Sequence, residues 1–305
     1  MKNLAIGVDI GGTHVTTAVI DLDSNTVLKE TMSGADVDHT AVYEEILSTW
    51  SGAIDDAISK SPNGISGIGV AMPGPFDYLK GISHMDHKLA AIKGMELGPE
   101  LQKRLAMDFP VRFINDASAF AVGESFNDQQ RKFKKVVAIT LGTGFGSAFI
   151  DNGNPIVERE DVPEMGCVWH IKYKEGIGDD YFSTRWFVKT YFEKTGQEVK
   201  GAKEIADRYH TDENAKSVFD EFAINLAEFL SPWFKKFKTE SLIIGGNISR
   251  AFNLFYPKFR EELAKQGIEI EIGVSELKEE AALIGSARLL DDNYYEIIKP
   301  SLAKM

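Results

Sequence analysis

The feature that most restricts this chain is a strand, a glycine turn and a second strand that occur twice. Residues 8–21 read VDIGGTHVTTAVID and residues 138–151 read AITLGTGFGSAFID, with Ala18, Ile20 and Asp21 matched by Ala148, Ile150 and Asp151. Each copy stands at the start of one half of the chain, so a duplication accounts for both. The expected result is an α/β protein of two similar halves, each opening on a hairpin.

Bulk properties agree with two domains of ordinary size in a chain of 305 residues. Hydrophobic residues make up 43% and charged residues 26%, the balance of a globular protein with a substantial core. A net charge of -12 repels phosphate backbones, so no nucleic-acid partner is expected. The one cysteine, Cys167, excludes an internal disulfide and any multi-cysteine metal site. No apolar run approaches the ~20 residues of a membrane helix, and the N-terminus lacks the pattern of a signal peptide. A soluble, cytoplasmic protein with no membrane partner is the expectation.

Strands are expected at 4–8, 15–21, 65–71, 111–114, 136–141 and 241–246, from short apolar runs bounded by Gly, Pro or Asn-Asp. A helix over 42–60 follows from apolar residues at Ile46, Leu47, Trp50, Ile54, Ala57 and Ile58. A second, over 219–236, places Phe222, Leu226, Phe229, Leu230 and Trp233 on one stripe that reads as core. Small residues characterise helices after Asp116 and over 279–290.

Three stretches carry candidate chemistry. Asp9-Ile10-Gly11-Gly12-Thr13 ends a buried strand. Its glycines let backbone approach a phosphate, and a carboxylate at that tip suits Mg²⁺ held through water. A plain hairpin turn is the alternative. Gly142, Thr143 and Gly144 have the same logic and the same alternative. They match neither a Walker loop, which needs Gly-Lys-Ser/Thr, nor a dinucleotide fingerprint leading into a helix. Duplicated, the two turns would set two phosphate-binding hairpins across one cleft. Asn115-Asp116 ends a strand before a helix, where both residue types cap well; Asp116 could equally accept the proton of an attacking hydroxyl.

In order and rough spacing, DIGGT at 9–13, AMPGP at 71–75, ND at 115–116, LGTGFG at 141–146 and GGN at 245–247 resemble the ROK family of bacterial sugar kinases and sugar-sensing repressors. The resemblance extends to AALIGSA at 281–287. It implies an actin-like ATPase (ribonuclease H-like) fold, duplicated, with two lobes around a central cleft. The expected lobes are 1–117, completed by 288–305, and 118–287. It further implies that Gly11, Gly12, Thr13, Gly142, Thr143 and Gly144 hold the phosphates of ATP, and that Gly245, Gly246 and Asn247 approach the adenosine. Asp9 would hold Mg²⁺ through water. Gly74, Asn115, Asp116 and Glu164 would bind the sugar, with Asp116 as general base. The reaction implied is transfer of the γ-phosphoryl group of ATP to a sugar hydroxyl, at C6 of a hexose such as glucose or of an N-acetylhexosamine.

The sequence departs from the family where members carry Glu-x-Gly-His and a zinc-binding cysteine cluster. Here the stretch is Glu164-Met165-Gly166-Cys167 and the cluster is missing, so no structural zinc is expected. Asp179, in DDYFS, falls where the family has a second sugar-contacting carboxylate; a solvated acidic turn is the alternative. His170 or Cys167 stands in for the family's histidine, or His170 is structural. Lys88 lies near a sugar-contacting Asn of many members, and His14 is assigned no chemistry. The aromatic segment 181–192 suits either a homodimer face or the core. A sugar-sensing, repressor-like protein is the alternative function, disfavoured by the eight residues before Asp9 and the acidic charge.

Overall fold

The run Leu4–Ile10 (β1) is apolar at all but two positions because it is central in its sheet. It pairs antiparallel with His14–Asp21 (β2). The edge on that side is Thr26–Val27 (β3), and Ser33–Asp36 (β4) also pairs with β2. On its other side β1 pairs parallel with Ile68–Met72 (β5). After a small ribbon of Phe76–Asp77 (β6) and Ile82–Ser83 (β7), Val111–Asn115 (β8) runs parallel to β5. The order is β3-β2-β1-β5-β8. Helices Tyr43–Ser59 (α1), Leu97–Leu105 (α2) and Asp116–Ser125 (α3) complete this part. The expected apolar stripe of α1 is buried at Ile46, Leu47, Trp50, Ile54 and Ala57.

The second sheet repeats this plan. Lys135–Leu141 (β9) pairs antiparallel with Phe145–Asp151 (β10), beside Asn154–Pro155 (β11). A ribbon of Lys172–Tyr173 (β12) and Gly176–Ile177 (β13) precedes Gly178–Tyr181 (α4), Thr184–Thr195 (α5), Ala202–Arg208 (α6) and Glu213–Phe237 (α7). Ser241–Gly245 (β14) then pairs parallel with β9, and after Phe252–Lys265 (α8), Glu271–Val274 (β15) pairs parallel with β14. The order β11-β10-β9-β14-β15 matches β3-β2-β1-β5-β8 of the first sheet, which carries β4 in addition. The expected stripe of α7 is core: Phe222, Leu226, Phe229 and Leu230 are buried, among the rings of Phe182, Phe187 and Phe145. Phe182, Trp186, Phe187 and Tyr191 are likewise buried, so the aromatic segment is mostly core.

The structure, a computed structural model, describes residues 3–86, 88–127 and 129–305. The chain divides into Met1–Arg131 with Gly153–Pro155 and Glu279–Met305, and a second unit of Lys132–Asn152 and Ile156–Lys278. These bounds differ from the expected lobes, 1–117 completed by 288–305 and 118–287. The helix Glu279–Ala287 (α9), followed by Asp292–Leu302 (α10), belongs with the first sheet, and so does α3. The reason is close approach of backbones. A Cβ on Gly7 of β1 would lie 2.1 Å from the Leu283 carbonyl oxygen, and one on Gly69 of β5 would lie 1.9 Å from that of Ser286. Gly123 of α3 and Gly285 of α9 meet Ala281 and Ala119 in the same way, each at 1.9 Å.

Gly69→Ala should therefore destabilise the protein by about 2–4 kcal/mol, because a methyl group has nowhere to go. Exposed Gly52 in α1 has open space around its Cα, and Gly52→Ala should stabilise by about 0.5–1 kcal/mol. Denaturant unfolding of both variants checks the contrast.

Candidate active site

In the first unit the parallel strands β1, β5 and β8 end together. Asp9 lies opposite Ala71 and Thr16, and Met72 opposite Asn115. The first glycine turn, the AMPGP stretch and Asn115-Asp116 thus share one sheet edge, at the carboxyl ends where open α/β sheets take their ligands. Gly11 donates its N–H to the His14 carbonyl at 2.9 Å, and a Cβ on Gly11 would lie 2.5 Å from the His14 ring. Gly12 faces open space and Thr13 is exposed. Gly74 precedes a cis bond to Pro75 and lies near the Tyr78 hydroxyl.

Asn115 does what a helix cap does: its Oδ1 accepts from Ser118 N at 3.1 Å. Its amide nitrogen serves a second purpose, donating to Asp116 Oδ1 at 3.0 Å and to the Tyr78 hydroxyl at 3.3 Å. Asp116 Oδ1 also accepts from Ala117 N at 2.8 Å. One oxygen of Asp116 is therefore fixed, while Oδ2 has no hydrogen-bond partner among the described residues. Capping and chemistry are compatible here, because they use different atoms.

Asp9 is partly buried, and its carboxyl is pushed up to about 7, first by loss of hydration and then by the negative charges of Asp116 and Glu279. Glu279 is a residue that motif reading missed. It begins α9, one helical turn before the Leu283 that packs on Gly7, so the same close packing brings it near Asp9. The available signal was the glycine spacing on β1 and α9, read as a packing pair. A divalent cation fits this set chemically, since it would relieve the mutual repulsion of three carboxylates. Among the described residues no three His, Cys, Asp or Glu side chains are grouped to ligate a metal.

In the second unit Gly245 of β14 lies opposite Thr140 of β9, so the Gly142–Gly144 turn and Gly245-Gly246-Asn247 share the corresponding edge. Gly246 has φ +81°, and a Cβ there would strike the Leu141 carbonyl oxygen at 2.4 Å. Thr143, Gly144, Gly246 and Asn247 are exposed. The turn is held at both ends from outside. The Gly142 carbonyl accepts from Thr184 N at 2.8 Å and Thr184 Oγ1 at 2.9 Å, and Phe145 N donates to Asp179 Oδ1 at 2.7 Å. Asp179 Oδ2 pairs with Arg185. The carboxylate expected to face sugar thus has both oxygens engaged, one by a backbone N–H and one by a guanidinium.

Glu164 is exposed, and it precedes Met165 and Gly166, both at positive φ. Cys167 is not poised for thiolate chemistry: burial pushes its thiol up to about 11. Its sulfur lies 3.7 Å from His170 Nδ1, while His170 Nε2 is enclosed without a hydrogen-bond partner among the described residues. Lys88 is half-buried in the first unit, and His14 is exposed. Among the described residues no helix is long and apolar enough to cross a membrane.

Two sheets of one strand order, each with a glycine turn at its carboxyl edge, define the actin-like ATPase fold. Within that class the chain belongs to the ROK family, whose model matches residues 5–293. It is 26% identical over 265 residues to the N-acetyl-D-glucosamine kinase of Pectobacterium carotovorum subsp. carotovorum, covering 80% of this chain and 83% of the relative. It is also 26% identical over 322 residues to the glucokinase of Thermotoga maritima, covering 94% and 97%. Among solved structures, a ROK family glucokinase from Streptomyces griseus, in complex with glucose and AMPPNP, superposes with a TM-score of 0.73 at 24% identity, covering 94% of this chain and 99% of that one.

A carboxyl raised from 3.8 to about 7 on folding ties stability to pH. The folded state holds a proton that the unfolded state has lost, so stability from this group is complete below about 4, falls as pH rises towards 7, and is level above. Asp9→Asn should therefore gain in Tm relative to the wild type between pH 5 and 7, with no further gain above about 7. A difference independent of pH would place the Asp9 carboxyl in an ordinary environment.

Proposed function

We propose that this chain is an ATP-dependent carbohydrate kinase that transfers the γ-phosphoryl group of ATP to a hydroxyl of a hexose such as glucose or of an N-acetylhexosamine, at C6. The observation that carries the reading is Asp116: one oxygen is fixed by Ala117 N and Asn115, and the other has no hydrogen-bond partner among the described residues, on the sheet edge that also carries Asp9. A carboxylate so held can accept the proton of a sugar hydroxyl as that hydroxyl attacks phosphorus. The relatives named for glucose and for N-acetylglucosamine support this substrate class.

In this reading Gly74, Asn115 and Asp116 bind the sugar, and Glu164 keeps the sugar-contacting role that family resemblance implies. The backbone of Gly11, Gly12 and Thr13 and of Gly142, Thr143 and Gly144 offers N–H groups to phosphate oxygens. Gly245, Gly246 and Asn247 approach the adenosine, with Gly246 packed closely on the Leu141 backbone. Asp9 would hold Mg²⁺ through water, and the bound cation would supply neutralisation of phosphate charge. Asn115 orients Asp116, and Tyr78, which donates to the Met72 carbonyl at 3.0 Å, braces Asn115. A cytoplasmic location belongs to the same reading.

Asp116→Asn should lower kcat about 10²–10⁴-fold in a coupled ADP-release assay. Sugar affinity should stay within about threefold of the wild type, because the contacts to Ala117 and Asn115 need only Oδ1. Turnover close to that of the wild type would remove Asp116 from the role of base.

A further inference from the structure

We propose that Asp179 is a positioning residue for the second glycine turn, acting on nucleotide binding rather than on the sugar; the inference rests on the kinase reading above. Phe145 N–H closes the turn onto Asp179 Oδ1 at 2.7 Å, and the ideal Cβ position of Gly144 lies 3.3 Å from that same oxygen. The other end of the turn, the Gly142 carbonyl, is held by Thr184. One short stretch, from α4 into the start of α5, therefore grips the turn at both ends.

That stretch is itself anchored. Asp179 N donates to the Trp169 carbonyl at 2.9 Å, and Gly178 N to that of Ile171 at 3.0 Å. A side chain on Gly178 would meet the Val168 carbonyl at 2.8 Å and the Phe229 ring at 2.9 Å, so α4 begins on a tightly packed floor. The Val168 N–H, in turn, donates to Ser147 Oγ of β10 at 2.9 Å. The Asp179 carboxylate is thus delivered to the turn by backbone that cannot easily shift.

The charges explain why the arrangement tolerates an anionic ligand. A bare carboxylate behind a phosphate-binding turn would repel phosphate, and the Arg185 guanidinium on Oδ2 offsets it. Arg185 is 65% exposed, so it adds no buried charge. Each oxygen of Asp179 already accepts one hydrogen bond, from this guanidinium or from the Phe145 N–H, so a sugar hydroxyl would have to share the carboxylate with the turn.

Titration calorimetry with Mg²⁺-AMPPNP, and separately with glucose and N-acetylglucosamine, tests the assignment on Asp179→Ala and Asp179→Asn. The Ala variant should bind the nucleotide about tenfold more weakly, since a charge-assisted contact to backbone is lost. The Asn variant keeps an oxygen for Phe145 N–H and should stay within about threefold, with sugar affinity unchanged in both. Tenfold or greater loss of sugar affinity in both variants, with nucleotide affinity intact, would overturn the proposal and make Asp179 a sugar ligand. If the Ala variant does not fold, the Asn variant decides alone, by keeping or losing its sugar affinity. Failure of the wild type to bind either sugar would count against the kinase reading, while the nucleotide titrations would still report on Asp179.

Discussion

The backbone of α9 lies directly on the first sheet, with the carbonyls of Leu283 and Ser286 where Gly7 and Gly69 have no side chain. On its flank the same helix locks into α3 through Gly285 and Gly123. Contacts this close leave no slack, because backbone cannot rotate away as a side chain can. They fix the end of β1, which carries Asp9, the start of α3, which carries Asp116, and the start of α9, which carries Glu279. Three carboxylates are held near one another by packing that is indifferent to their charge. The raised Asp9 carboxyl is the electrostatic consequence.

The second unit solves a related problem by other means. Its turn is one residue shorter: the last ladder pair is Leu141 with Phe145, against Ile10 with Val15 in the first. Each turn is closed from within, by Gly11 N to the His14 carbonyl in the first and by Gly142 N to the Gly144 carbonyl at 3.1 Å in the second. The second is in addition gripped by Thr184 and Asp179 from a separate segment, above a floor of packed aromatic rings. Duplication preserved the strand order of the two sheets, while the way each turn is held diverged.

Much of this could be read from the sequence, and the reasons differ by element. The strands around β1, β9 and β14 are apolar runs ended by glycine, so their positions follow from composition. Helix α7 begins at Glu213, earlier than its apolar stripe suggests, because Asp212 caps it by accepting from Asn214 N at 2.8 Å. The expected helix over 279–290 splits into α9 and a 3₁₀ turn, Arg288–Leu290. The unit boundary escaped the sequence reading because it is set by carbonyl-to-Cα approach, which leaves only glycines and alanines as a trace. Asp179 was legible as a motif residue but not in its contacts, since a hydrogen bond to Phe145 N leaves no mark on composition. Glu279 escaped for the opposite reason: it sits among ordinary helix-starting acids, and only packing gives it a neighbour in Asp9.

The central claim is phosphoryl transfer from ATP to a sugar. Release of ADP from Mg²⁺-ATP, measured with and without each member of a panel of hexoses, hexosamines and N-acetylhexosamines, tests it most directly. ADP release should depend on a sugar and be matched mole for mole by a sugar phosphate. ADP release that ignores every sugar, or none at all in a protein that binds both ATP and a sugar, would contradict it and favour a sensor on the same fold.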